Sequence, residues 1–191
     1  MDSVGRAWVS RGGEKLDAAL RAWGDLLPRL EGIVAADLGS NVGGFVDCLL
    51  GHGAAKVYAI DTGYGVLAWS LRQDPRVVVM ERTNALHVTL PEPADLVTVD
   101  VGWTRQRHIL PAAWRLVRPG GPVITLVKPQ YEADEAERRR GVLRPEAQSA
   151  VLARVRADVV AAGGQIVAET GSPVRGTGGN VEYLWLVRRR A

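Results

Sequence analysis

The sequence predicts an α/β domain built on one seven-stranded, mainly parallel sheet with helices on both faces. Three observations lead there. Apolar runs rich in Val and Ile alternate with helix-period patterns, as repeated βα units require. A glycine-rich turn, Asp37-Leu38-Gly39-Ser40-Asn41-Val42-Gly43-Gly44-Phe45, lies directly between the first apolar run and a helical pattern. A chain of 191 residues, 47% apolar and 24% charged, is long enough to bury one full core.

Taken in order, residues 1–30 form an N-terminal extension whose helix, expected over Gly13–Trp23, carries Lys15. The expected strands are Ile33–Leu38, Lys56–Asp61, Val77–Glu81, Leu96–Asp100, Val123–Val127, Gln165–Glu169 and Tyr183–Val187. Helical patterns cover Gly44–Gly53, Val66–Gln73, Arg107–Val117 and Glu146–Ala161. Pro119-Gly120-Gly121 and Ala162-Gly163-Gly164 stop helices and turn the chain into the next strand. A Gly-, Ser- and Thr-rich loop at Gly171–Gly179 precedes the last strand. The densely charged run Tyr131–Leu143 reads as a solvated face rather than a loop over a site, since charge runs are usually wet.

Composition narrows function. No signal-peptide pattern opens the chain and no apolar run reaches membrane-spanning length, so a cytoplasmic protein without membrane partners is expected. Cys48, the single cysteine, excludes an intramolecular disulfide and reads as a small buried hydrophobe. No cluster of His or Cys ligands suggests a metal, and none is expected. The net charge of +3 leans toward polyanionic partners. Of 24 basic residues only Lys15, Lys56 and Lys128 are lysines. An amine can release its proton within reach of neutral pH and a guanidinium cannot, so these positions merit scrutiny.

The glycine-rich turn departs from the dinucleotide fingerprint Gly-x-Gly-x-x-Gly; its pattern is Asp-x-Gly-x-x-x-Gly-Gly. Glycines there let a ligand approach the backbone, and Asp37 suits a cationic or amine-bearing ligand better than a pyrophosphate. Asp61 closes the second strand, where an acid accepts ribose hydroxyls in nucleotide-binding α/β folds. Thr62 follows it, and Asn84 closes the third strand's edge as either an adenine reader or a turn former. Asp100 and Lys128 end the fourth and fifth strands, opening onto the carboxyl edge of the sheet. They constitute either a reactive pair or a structural ion pair. On local sequence alone, Lys15 and Glu182 read as surface charges.

Together these stretches resemble the TlyA group of the FtsJ-like RNA methyltransferases, the haemolysin A-type proteins. The matching segments are residues 9–16 (Val-Ser-Arg-Gly-Gly-Glu-Lys-Leu), 37–50, 56–69, 71–77, 81–85, 126–132 and 179–183, in the family's order and over nearly the whole chain. The resemblance implies a Rossmann-like class I methyltransferase fold and a single S-adenosyl-L-methionine-dependent domain over residues 1–191. It places a Lys–Asp–Lys–Glu catalytic tetrad on Lys15, Asp100, Lys128 and Glu182. It places the cofactor along Asp37, Gly39, Ser40, Asn41, Gly43, Gly44, Phe45, Asp61, Thr62, Asn84 and Asp100. The implied substrate is a ribose 2′-hydroxyl of structured RNA, ribosomal RNA or a ribosomal subunit, with Lys128 as the base.

The pattern also departs from the family. Only a few residues precede Val9, where relatives carry an S4-type RNA-binding domain, so a separate RNA-binding partner is an expectation. Gly102–Gln106 and Ala133–Arg140 replace the usual sequences, and both lie where the family's substrate enters. A different RNA, a small-molecule substrate or a non-catalytic binding module are the rival readings. Membrane lysis is not expected, since the chain offers no spanning or strongly amphipathic basic helix. Arg105, Arg107, Arg138–Arg140 and Arg188–Arg190 are candidate phosphate contacts or solubilising charges.

Overall fold

The computed structural model describes residues 7–190. Along the chain run α1 (Arg11–Ala22), β1 (Val34–Leu38), α2 (Gly44–Gly51), β2 (Lys56–Ile60), α3 (Trp69–Arg72), β3 (Val77–Met80) and β4 (Leu96–Val99). There follow α4 (Gln106–Leu116), β5 (Pro122–Val127), α5 (Pro129–Glu132), the short pair β6 (Arg138–Arg139) and β7 (Val142–Leu143), α6 (Gln148–Ala161), β8 (Gly164–Gly171) and β9 (Tyr183–Arg189). Among the described residues no helix is long and apolar enough to cross a membrane.

Seven strands form one sheet in the order β3-β2-β1-β4-β5-β9-β8, and β9 runs against the direction shared by the other six. Side chains alternate between two cores, as a pleated strand dictates. On β1, β5 and β9, Ala35, Ile124, Leu126, Leu184 and Leu186 face the helices α1, α2 and α3. Ala36, Leu38, Val123, Val127, Trp185 and Val187 face α4 and α6 on the other side. The central strands β4 and β5 are buried at every position, which is why they read as continuous apolar runs.

Register decides what meets at the carboxyl edge. Leu38 pairs with Val99, so the turn after β1 lies against the residue after β4, which is Asp100. Val127 pairs with Tyr183 across the antiparallel β5–β9 ladder, so Lys128 and Glu182 emerge side by side.

Three expectations are corrected. The helix expected over Val66–Gln73 shrinks to α3, because the chain before it is held as a loop by Glu81, whose carboxylate accepts from the amides of Gly65, Val66 and Leu67. Glu81 is therefore outside β3, although the strand was expected to include it. The charged run Tyr131–Leu143 is only partly a solvated face. Glu132 and Ala133 are buried, and the Glu132 carboxylate accepts from the Gln106 amide at 2.8 Å, capping the start of α4. The rest of the run contains an unforeseen β-hairpin, β6–β7.

Candidate active site

Gly39 follows β1 with φ +87°, and a Cβ there would stand 2.7 Å from the Asp100 carbonyl oxygen. Only glycine allows β1 and β4 to end this close together. Gly43 starts α2 at φ +103°, packed under Leu71 and Leu67. Gly44 abuts Ser10 and the backbone of Gly12 and Gly13, so the starts of α1 and α2 meet over the carboxyl end of β1. Ser10 caps α1 by accepting from the Gly12 amide at 3.3 Å.

Two concavities open at this edge. A small polar pocket of about 200 Å³ is lined by residues including Lys15, Asp37, Ser40, Phe45 and Asp100. A larger cleft of about 650 Å³ is lined by residues including Asp61, Thr62, Asn84, Trp103 and Lys128. Gly39, Asn41 and Asp100 line both, so the two form one elongated site with Asp100 at the junction.

Asp37 lies at the end of β1, almost wholly buried. Thr98 donates to its Oδ1 at 2.7 Å, while Oδ2 has no hydrogen-bond partner among the described residues. Burial pushes its carboxyl up to about 8; the Thr98 hydrogen bond opposes that shift, and the nearby charges of Asp100 and Asp61 add to it. Asp61 accepts from the Gly63 amide at 2.7 Å and from the Asn41 amide at 2.8 Å, tying together the turns after β1 and β2. Asn84 uses Oδ1 to accept from the Leu86 amide at 2.9 Å, so it shapes its turn and also lines the cleft.

Two ion pairs stand beside the junction. Lys128 Nζ is 2.5 Å from Asp100 Oδ1 and also donates to the Val101 carbonyl at 3.3 Å. Lys15 Nζ donates to Glu182 Oε2 at 2.6 Å, and Gln130 Nε2 donates to Glu182 Oε1 at 3.3 Å. The side chains are 12% (Lys15), 3% (Glu182), 14% (Lys128) and 24% (Asp100) exposed, so local sequence misjudged Lys15 and Glu182 as surface charges. Burial raises the Asp100 carboxyl above its ordinary range, with Lys128 and Lys15 opposing the shift and Glu182 adding to it. The pairs thus sense one another, and each cation lies within reach of a carboxylate that fixes its direction.

Sequence reasoning missed the aromatic wall of the cleft. Trp103 is 78% exposed, adopts φ +64°, and lies with its ring centroid 4.6 Å from that of Tyr131. Outside the cleft lining, Arg82 at φ +53° holds its guanidinium 4.1 Å above the ring of the exposed Tyr64. Bulky residues such as Arg82 and Trp103 are strained at positive φ. Trp103, three positions after Asp100, was the available signal. Of the candidate phosphate contacts, Arg105 is paired with Asp134 at 3.0 Å, and Arg188 binds the carbonyls of Gly120 and Leu26, a structural role. Away from the cleft, α1 and α2 bring together Asp17, Cys48 and His52, a grouping not foreseen in the sequence. Asp17 there pairs with His52 at 2.8 Å and Arg21 at 2.6 Å, which knits the two helices.

The family model described as FtsJ-like methyltransferase matches residues 8–189. A Bacillus subtilis protein described provisionally as the rRNA methyltransferase YqxC is 42% identical over 186 residues; the match covers 93% of this chain and 64% of that protein. The 16S/23S rRNA (cytidine-2′-O)-methyltransferase TlyA of Mycobacterium tuberculosis is 42% identical over 188 residues, covering 95% of this chain and 69% of that one. This chain therefore spans about two thirds of these relatives' length, and slightly less for the Bacillus protein. Among solved structures, a Streptococcus thermophilus protein described provisionally as a hemolysin superposes with a TM-score of 0.91 at 34% identity, covering 99% of this chain and 70% of that one.

Proposed function

The chain belongs to the FtsJ-like methyltransferases, and from that premise we propose that it methylates a ribose 2′-hydroxyl of ribosomal RNA, using S-adenosyl-L-methionine. The observation that carries the reading is the pair of lysine–carboxylate contacts, Lys128–Asp100 and Lys15–Glu182, at the junction of the two concavities.

The residues suit the cofactor. The partnerless Oδ2 of Asp37 offers a buried acceptor for a cationic or amine-bearing ligand. Gly39 lets the ends of β1 and β4 meet with Asp100 facing both concavities, and Asp61, Thr62 and Asn84 line the roomier cleft for a nucleoside. Ser40, Asn41, Gly44 and Phe45 complete the cradle at the start of α2, and Gly43, packed under Leu67 and Leu71, shapes the turn that presents them. When bound, S-adenosyl-L-methionine supplies an electrophilic methyl group on a sulfonium, open to in-line displacement.

With the cofactor's methyl group held there, Lys128 Nζ in its unprotonated form would take the proton of the RNA hydroxyl. Asp100 aims Lys128, and the Lys15–Glu182 pair, braced by Gln130, holds the hydroxyl from the other side. Fixing both reactants in line removes much of the entropic barrier. Trp103 offers a stacking face for an unstacked base, the usual means of holding single-stranded RNA.

Transfer of labelled methyl from S-adenosyl-L-methionine to ribosomal RNA and intact subunits tests this directly. Label in alkali-resistant dinucleotides, where a 2′-O-methyl blocks cleavage, is the expected result. Label on a base, or on no RNA despite cofactor binding, contradicts it.

A further inference from the structure

The β6–β7 hairpin carries charge that the site described above leaves unused. Arg139 and Val142 close a two-residue turn in which Arg140 (φ +51°) and Gly141 (φ +78°) both have positive φ, the requirement of a tight hairpin turn. Residues 138–145 hold four arginines and no acid. Of the flanking acids, Asp134 is engaged by Arg105, and Glu137 by Arg154 through contacts of 2.9 and 2.6 Å, while the exposed Glu135 and Glu146 lie just outside the hairpin. Arg138, Arg139, Arg140 and Arg144 form no ion pair among the described residues, and the last three are exposed. Within the hairpin itself, residues 138–145, the charge is of one sign.

The hairpin is also tied to the site. Asn180 is buried, accepts from the Leu143 amide at 3.0 Å and donates to the Gly141 carbonyl at 3.3 Å, gripping the strand just past the turn. Its own carbonyl accepts from the Gly176 amide at 3.0 Å, and Gly176 packs directly on the Glu182 side chain. On the other side, β7 packs on α5, the helix that begins right after Lys128. The arginines therefore project from a stem anchored next to two of the four ion-pair residues.

We propose that the Arg138–Arg140 hairpin is an arm that grips the phosphate backbone of the substrate RNA, and that Asn180 is the positioning residue that sets this arm relative to Glu182. The inference rests on the RNA methyltransferase reading above and adds the surface that holds the strand.

The test is binding of ribosomal RNA over a series of salt concentrations, alongside steady-state methyl transfer, with the full chain. Arg139→Gln combined with Arg140→Asn suits the exposed turn, since Asn tolerates positive φ. Loss of two phosphate contacts lowers the slope of log affinity against log salt by about two. The KM for RNA rises about tenfold, the scale of a lost charge-assisted contact, with the effect falling on KM rather than kcat. Asn180→Ala keeps the wild-type slope and lowers kcat, and Asn180→Asp, which retains the acceptor for the Leu143 amide, recovers part of the loss. An unchanged slope in the double arginine variant, with the wild type binding and methylating RNA, overturns the arm and leaves the function standing. Wild-type kcat in Asn180→Ala overturns the positioning role. A wild-type protein that neither binds nor methylates RNA overturns the function and the arm with it.

Discussion

Asp37 shows at residue scale what a binding site costs before its ligand arrives. Its Oδ2 is buried without a partner, and burial pushes its carboxyl up to about 8 from an unfolded value of 3.8. A raised folded-state value means the folded chain keeps a proton that the unfolded chain has lost. The associated stability is complete below about pH 4 and drains away as pH rises through about 8, by at most ~1.4 kcal/mol per pH unit for one proton. Asp37→Asn abolishes that dependence. Thermal unfolding of the ligand-free protein between pH 5 and 8.5 should therefore show the wild type losing ground to Asp37→Asn as pH rises. The same variant should bind S-adenosyl-L-methionine more weakly. A difference in melting temperature that stays flat with pH would show that Asp37 is ionised throughout. The acid before the glycine turn was legible in the sequence. Its isolation was not, because Thr98 lies 61 positions away on a neighbouring strand.

At the scale of elements, the sequence reveals strands better than the loops that finish the site. The buried strands announce themselves as apolar runs, and their ends fall within a residue or two of expectation. The loop between β2 and α3 does not, because its organiser, Glu81, lies beyond α3. Glu81 accepts from Gly65, Val66 and Leu67 and pairs with Arg72. The Arg72 contact, then the backbone amides, pull its carboxyl down to about 2. The depressed value marks stability present above about pH 4.5 and lost as pH falls toward 2. Glu81→Ala strands three amides and a guanidinium. Unfolding in urea at pH 7 should show a lower midpoint than wild type, together with weaker cofactor binding, since Asp61 and Thr62 precede this loop. Equal stability of variant and wild type at pH 7 would remove Glu81 from its organising role. The charged run 131–143 fails for a related reason. Composition shows how many charges are present but not which are partnered, so a buried cap at Glu132 and an arginine hairpin look alike.

At the scale of the whole molecule, the site comes from topology. Lys15 and Glu182 are 167 positions apart and meet because α1 docks on α2 while β9 inserts, antiparallel, beside β5. No local pattern distinguishes these two residues from surface charges; resemblance to the family named them, and the sheet order explains why they converge. Register accounts for the rest, with Leu38 opposite Val99 and Val127 opposite Tyr183 setting Asp100, Lys128 and Glu182 around one edge. Trp103 and Tyr131 form a wall only once α5 folds back beside the loop after β4. The chain's sparing use of lysine gains meaning at this scale: two of its three lysines flank the junction, one in each concavity, and the third pairs with Glu92 at the opposite end of β2.

The most direct test of the account is the single-turnover rate of methyl transfer to ribosomal RNA by Lys128→Ala and Lys128→Arg, with cofactor affinity measured alongside. Both variants should bind S-adenosyl-L-methionine and RNA within a fewfold of wild type, and both should transfer at least ~100-fold more slowly. The arginine variant keeps the positive charge beside Asp100 and still fails, because a guanidinium gives up no proton near neutral pH. Transfer at the wild-type rate by either folded, cofactor-binding variant would contradict the assignment of Lys128 as the group that takes the hydroxyl proton.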